Sequence, residues 1–237
     1  MTEKSLFFSM NRLGKRRTRV PTETFHHLPK NKQERITIAA LREFGKYDYP
    51  SVVLDAIVQD AGIPKGSLYQ YFEDKKDLYA YLVQYAARDK LSYLMRYLQQ
   101  ESSDPSELLE ALFYRSMQYT LKNPKTSGIL YRNARERSDP ELADIAEKLM
   151  RQARELVKEI LSRSLREGYL RKDLDVELAA YLIAHLSIEF EDFLGDKYHF
   201  SYHEVLVKEM ESLPIPPDEL KECTELFIGF ILSGLER

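Results

Sequence analysis

The stretch from Ile57 to Phe72 leaves this chain little choice of local architecture. Gly62 separates Ile57-Val58-Gln59-Asp60-Ala61 from Ile63-Pro64-Lys65-Gly66-Ser67-Leu68-Tyr69-Gln70-Tyr71-Phe72. A glycine takes a positive φ without the steric cost of a Cβ, so it can end one helix and reverse the chain at once. Pro64 suits the first position of the next helix, where a missing N–H leaves nothing unpaired. The pattern predicts helix, tight turn, helix. In that supersecondary unit the second helix is the one that enters a DNA major groove. Here it carries Lys65, Ser67, Tyr69, Gln70 and Tyr71. That is more polar surface than burial alone asks of so short a segment.

Charge follows the same division. Residues 1–90 hold 16 Lys and Arg against 11 Asp and Glu, and the remaining residues hold 19 against 27. A basic first part on an acidic body suits a polyanion-binding head on a body of another kind. No apolar run reaches the roughly 20 residues that span a bilayer. Ser5-Leu6-Phe7-Phe8 is too short for the apolar core of a secretory signal, usually about 7–15 residues. A single cysteine, Cys223, excludes an internal disulfide framework and a cysteine-based zinc cage. The expected setting is cytoplasmic, with no membrane, metal or cofactor.

Residues 1–30 read as a flexible basic arm, with Lys15-Arg16-Arg17-Thr18-Arg19 as its charged cluster. Such an arm can follow a minor groove or the phosphates; the competing reading is a disordered or expression-derived tail. Residues 31–78 read as the helix-turn-helix domain. Ile36, Ala39, Ala40 and Phe44 form the apolar stripe of its first helix. Ser51 is the expected cap of the second helix. Asp74 caps a long helix that leads into the body.

The body, residues 79–237, reads as entirely helical. Asp104-Pro105 opens a helix that Asn123-Pro124 breaks, and Asp139-Pro140 opens a long one closed by Gly168. The segment from Val176 to about Leu194 is apolar nearly all round, which predicts burial on both sides. A loop is expected at Gly195–Lys197, a helix from Tyr202 to Leu213, and a last helix from Asp218. In that last helix Gly229-x-x-x-Ser233 sets small residues one turn apart. His199-x-x-x-His203 has the spacing of a helical metal pair but no further ligands nearby.

Taken together, residues 31–85 resemble the TetR/AcrR family of bacterial transcriptional regulators. The resemblance rests on Arg35-Ile36-x-x-Ala39-Ala40-x-x-x-Phe44 and on Ala61-Gly62-Ile63-x-Lys65-Gly66-Ser67-Leu68-Tyr69-x-Tyr71-Phe72-x-x-Lys75-x-x-Leu78. It implies an all-α chain: a three-helix DNA-binding head joined by a long helix to a ligand-binding and dimerisation domain. It further implies a homodimer on double-stranded operator DNA, usually repressing, and released by a small-molecule effector. Lys65, Gly66, Ser67, Tyr69, Gln70, Tyr71 and Lys75 match the DNA-facing positions, with Ser51 beside them, and Leu68 and Phe72 match core positions. Val52 and Asp55 depart from the pattern, since a hydroxyl and a basic residue are usual there.

The chemistry of these residues suits that reading. Lys65 and Lys75 can neutralise phosphates, and Ser67 and the tyrosines can bond phosphate oxygens. Gln70 can pair with adenine N6 and N7. The bland alternative for Tyr69 and Tyr71 is core packing. Effector contacts are expected from Tyr114, Met117, Tyr131, Tyr181, His185 and Glu189, each of which can equally be ordinary body packing. The interface is expected from Phe190, Phe193, Phe227 and Ile231 unless those faces pack within the subunit. The other functional classes are a non-specific architectural DNA protein and an enzyme using the helical body. No Walker loop, GxSxG elbow, HExxH or dinucleotide fingerprint is present.

Overall fold

A computed structural model of the chain describes residues 21–98, 104–136, 139–208, 210 and 212–235. The basic cluster at residues 15–19 lies outside them. Among the described residues ten helices follow one another: α1 (Lys30–Lys46), α2 (Leu54–Ala61), α3 (Lys65–Tyr71), α4 (Lys75–Leu98), α5 (Pro105–Lys122), α6 (Pro124–Arg135), α7 (Pro140–Arg166), α8 (Val176–Lys197), α9 (Tyr202–Val207) and α10 (Pro217–Leu235). A single helical turn, Glu23–His26, precedes them, and a 3₁₀ turn, Tyr49–Ser51, joins α1 to α2. No strand occurs among the described residues. The fold class is all-α, as the sequence predicts.

Local chemistry sets most of the boundaries. Gly62 adopts φ 63° and ψ 43°, and the Ile63 N–H reaches back to the Val58 carbonyl at 3.0 Å. This is the glycine-dependent closure of a helix C-terminus. An alanine there would be strained by its φ rather than by crowding, because a Cβ would meet only Arg35 Nη1 at 3.9 Å. Side-chain caps open the later helices. Asp74 accepts from the Asp77 N–H at 2.8 Å, Asp104 from the Ser106 N–H at 2.8 Å, and Asp175 from the Leu178 N–H at 3.0 Å. Pro64 is the residue just before α3 rather than its first.

Several expectations need correction. Ser51 does not cap α2. That helix starts at Leu54, where the Val53 N–H is held by the Glu43 carboxylate at 3.1 Å. The arm does not extend to residue 30 either: residues 21–29 pack onto the head, with Phe25 buried against Tyr71, Phe72 and Tyr81. Residues 195–197 belong to α8, and α9 stops at Val207, short of Leu213. His199 sits at φ 52° between the two helices, so it and His203 do not share a helix.

The core is laid down in connected layers. Ile36, Phe44, Ile57, Leu68, Phe72 and Leu82 fill the head, and Ile129 of α6 and Leu142 of α7 belong to the same cluster. The head is thus seated on the body through shared apolar packing. Further clusters join α5, α7, α8 and α10, and α8 with α9 and the segment after it.

Candidate nucleic-acid interface and effector cavity

The reading helix α3 has two unlike faces. Leu68 and Tyr71 point inward, whereas Lys65, Gly66, Tyr69 and Gln70 are exposed and Ser67 is half-buried. Tyr69 is 57% exposed and Tyr71 only 3%. The expectation that Tyr71 faces DNA therefore fails on geometry. Its ring lies edge-on to Phe25 at 5.9 Å, with the Lys32 ammonium 5.8 Å from its centroid.

The segment that buries Tyr71 also finishes α3. The Thr22 N–H donates to the Tyr71 carbonyl at 3.0 Å, and the Thr22 hydroxyl donates to the Gln70 carbonyl at 2.8 Å. These carbonyls would otherwise be unpaired at the helix end. Thr22 and Phe25 are structural parts of the reading head that sequence inspection missed. They carry no periodic signal, and their partners lie about 50 residues downstream.

The basic residues are positioned from α2 and the 3₁₀ turn. Lys65 Nζ lies 2.5 Å from the Asp55 carboxylate, whose hydrogen bond and charge hold its pKa above the usual lysine value. Lys75 donates to the Pro50 and Val52 carbonyls, each at 3.1 Å, and lies 4.8 Å from the Tyr49 ring centroid. Burial lowers its pKa. An ammonium has three N–H donors, so two bonds tie the turn and one N–H is left to project from it. Ser51 is exposed on that turn.

Inside the body lies a cavity of about 750 Å³, bounded by α4, α5, α6, α7, α8 and Tyr202 of α9. That volume suits a drug-sized molecule. Of the residues expected to contact an effector, Met117, Tyr131 and Tyr181 line this cavity, and Tyr114, His185 and Glu189 do not. Tyr114 packs in the cluster around α9, His185 lies against Tyr181 with ring centroids 4.2 Å apart, and Glu189 is exposed. Lys90, Asn133 and Glu191 also line the cavity; Lys90 and Asn133 carry no sequence signal for it, and Glu191 reads in the sequence either as an attractor of a cationic ligand or as part of a solvated acidic face.

Helix α6 borders both the cavity and the head. Ser127, Leu130, Tyr131 and Ala134 line the cavity. Between them Arg132 reaches out, with Nη1 2.5 Å from the Asp48 carboxylate and Nη2 donating to the Gly45 carbonyl at 3.1 Å. His203 Nδ1 of α9 lies 3.0 Å from the same Nη2. Towards α8, Arg135 bonds Asp192 at 2.7 Å, and Tyr131 donates to Asp192 at 3.0 Å.

The outer surfaces of α8 and α10 correct the interface expectation. Phe190 and Ile231 are buried in the subunit, and Phe227 stacks on Phe190 at 4.4 Å. Phe193 alone of the four is exposed. The exposed apolar residues on these helices are Leu178, Leu182 and Phe193 of α8, with Leu226 and Phe230 of α10. Gly229 and Ser233 share the α10 face and are also exposed.

An exposed helix-turn-helix on a cavity-bearing helical body defines a transcription-regulator fold. Residues 36–82 match the family described as "Bacterial regulatory proteins, tetR family". The match covers the helix-turn-helix head and the start of α4, and over those residues the chain is similar to that family. It is 30% identical over 124 residues to the HTH-type transcriptional repressor KstR2 of Mycobacterium tuberculosis, a match covering 52% of this chain and 60% of that protein. The chain thus spans less than two thirds of the length of that relative. A TetR family regulator of Chloroflexus aurantiacus superposes with a TM-score of 0.70 at 29% identity, over 92% of this chain and 99% of the other. A structure described as a SmeT–triclosan complex has the same fold, with a TM-score of 0.65 at 19% identity, over 88% and 93%. No helix among the described residues is long and apolar enough to cross a membrane.

Proposed function

We propose that this protein is a ligand-responsive repressor. It binds a partly palindromic operator as a homodimer and leaves DNA when a small hydrophobic effector fills the cavity. The observation that carries this reading is the position of α6, whose residues line the cavity while Arg132 holds the head at Asp48 and Gly45. A ligand that prefers one placement of α6 biases the placement of the head, which is the differential contact that a coupling free energy requires. The bound molecule in the SmeT–triclosan complex supports the same use of the body.

On DNA, Gln70 reads a base edge and Tyr69, Ser67, Lys65 and Lys75 engage phosphates. Gly66, beside which a Cβ would find open space, allows close approach of the backbone, and Ser51 bonds phosphate from the 3₁₀ turn. Tyr71 supports α3 from behind. The dimer forms through α8 and α10, with Phe193, Leu226 and Phe230 at its centre. Large apolar side chains left exposed on two helices that share a core cluster suit an interface. Two-fold symmetry then sets two α3 helices about one DNA turn apart, roughly 34–36 Å.

Genome-wide footprinting with the purified protein tests the reading. Discrete, partly palindromic sites are expected, with release by hydrophobic compounds drawn from the pathways those sites control. Equal affinity for such sites and random DNA at physiological salt would point instead to an architectural protein, and turnover of a bound compound to an enzyme.

A further inference from the structure

The polar groups of the cavity specify more than a hydrophobic ligand. Asn133 is 0% exposed, and neither its side-chain oxygen nor its nitrogen has a hydrogen-bond partner. The conclusion is the same whichever way the amide is turned. The hydroxyls of Ser127 and Tyr202 are likewise buried and unpartnered. All three side chains line the cavity. A polar group closed off from water without a partner is destabilising, and three lining one cavity suit a site that a ligand completes.

Two of the charges that meet this cavity lie on facing helices away from its α7 wall. Lys90 of α4 and Glu191 of α8 both line it. Burial pulls the Lys90 pKa down and the Glu191 pKa up, and each charge partly offsets the effect of burial on the other. They form no direct ion pair with each other among the described residues. Glu191 is 3.7 Å from Arg135, which is itself bonded to Asp192. Lys90, Arg135, Glu191 and Asp192 thus sum to zero charge at this end of the body. Leu91, Leu94, Phe113, Met117 and Ile183 give the wall its apolar part, and Arg151, Arg154, Glu155 and the Lys158–Glu177 ion pair border it along α7 and the start of α8.

We propose that the cavity takes an amphipathic organic molecule with an apolar body and an uncharged head that carries a donor and an acceptor side by side, of the carboxamide class, seated between Lys90 and Glu191. Its carbonyl accepts from the Lys90 ammonium and its N–H donates to the Glu191 carboxylate. Asn133, Ser127 and Tyr202 supply the remaining partners. A carboxylate head would bring a second negative charge to Glu191, and an ammonium head a further positive charge to Lys90 and Arg135. Either adds an unbalanced charge in a poorly solvated space, which is the costly case. The proposal rests on reading the body as a ligand-binding domain.

The test uses three molecules with one chain and different heads: octanamide, octanoate and octylamine. Each displaces the uncharged dye N-phenyl-1-naphthylamine from the full-length protein at neutral pH. Octanamide is expected to half-displace the dye at about one tenth the concentration of either charged analogue, the worth of one well-made hydrogen bond. Lys90→Met should make octylamine the tightest of the three, and Glu191→Gln should make octanoate the tightest. Loss of packing alone produces no such reversal, and the near-isosteric Glu191→Gln keeps the test open if Lys90→Met does not fold. Equal displacement by all three, or a charged head binding tightest to the unaltered protein, overturns the head assignment and leaves a ligand-binding body standing. Absence of any displaceable dye overturns both readings.

Discussion

The guanidinium of Arg132 lies 2.5 Å from the carboxylate of Asp48. This ties a helix that borders the cavity to the loop that follows α1. Asp48 is largely exposed, so the pair contributes little to stability, about 0–1 kcal/mol. In the proposed mechanism its value lies in transmission. Arg132→Gln should leave operator affinity without effector within about threefold while reducing effector-induced release, normally about 5–150-fold for such couplings, towards none. Operator titrations with and without effector measure both quantities. Unchanged release in the variant would remove Arg132 from the route.

Asp55 stands where it would compete with a phosphate for Lys65 in the proposed complex. The 2.5 Å contact of Asp55 with Lys65 sets a carboxylate on the face proposed to meet phosphates. Asp55→Asn should strengthen operator binding. Lys65→Ala should weaken it on all sequences and lower the slope of log affinity against log salt by about one. Binding measured at four or more salt concentrations distinguishes the two effects.

Tyr69 and Tyr71 should separate cleanly. Tyr69→Ala is expected to weaken DNA binding with almost no change in melting temperature. Tyr71→Ala removes a buried ring that Phe25 packs against, a change of the kind that costs about 3–5 kcal/mol. It should appear first as a lower melting temperature. Equal melting temperatures for the two variants would contradict the inward placement of Tyr71.

Phe230 and Leu226 are 72% and 69% exposed. A glutamate at either position should shift the protein to a monomer by light scattering and abolish tight operator binding. Phe190→Ala, by contrast, should lower stability, because that side chain packs inside the subunit.

Alkaline pH should unfold the protein early. Burial, and then the hydrogen bond to Asp192, push the Tyr131 hydroxyl up to about 12 despite the opposing Arg135. Burial raises Tyr79 and Tyr119 further. A hydroxyl whose pKa is higher in the folded state keeps its proton after the unfolded chain has lost it. The resulting stability is complete below pH 10 and declines as pH rises towards 12. Melting temperature followed between pH 8 and 12 should fall within that window, and Tyr131→Phe should make the fall less steep.

Signals that act within one or two turns of the chain were legible in the sequence. Gly62, Asp104-Pro105, Asn123-Pro124, Gly168 and Asp175 mark helix ends through backbone geometry and caps, which depend on near neighbours. The faces of Leu68 and Tyr69 also followed from the motif. Tyr71 did not, because what covers it is Phe25, 46 positions earlier. Periodicity groups Phe190 with other apolar residues of α8 but does not say which side meets solvent, and stacking on Phe227 decides that. Lys90 reads as a surface charge, and Glu191 as a cation attractor or part of a solvated acidic face, until α4 and α8 are seen to border the same cavity.

The double duty of α6 limits how such a protein can acquire a taste for a new molecule. Exchanging Tyr131 or Asn133 reshapes the ligand site, but each adjoins Arg132, and the lever to the DNA-binding head shifts with it. The α7 wall, from Ala146 to Lys158, meets the head through apolar packing such as that of Leu149 and makes no polar bond to it among the described residues. Variation in ligand preference between relatives should therefore gather on α7, leaving α6 as the shared mechanical part.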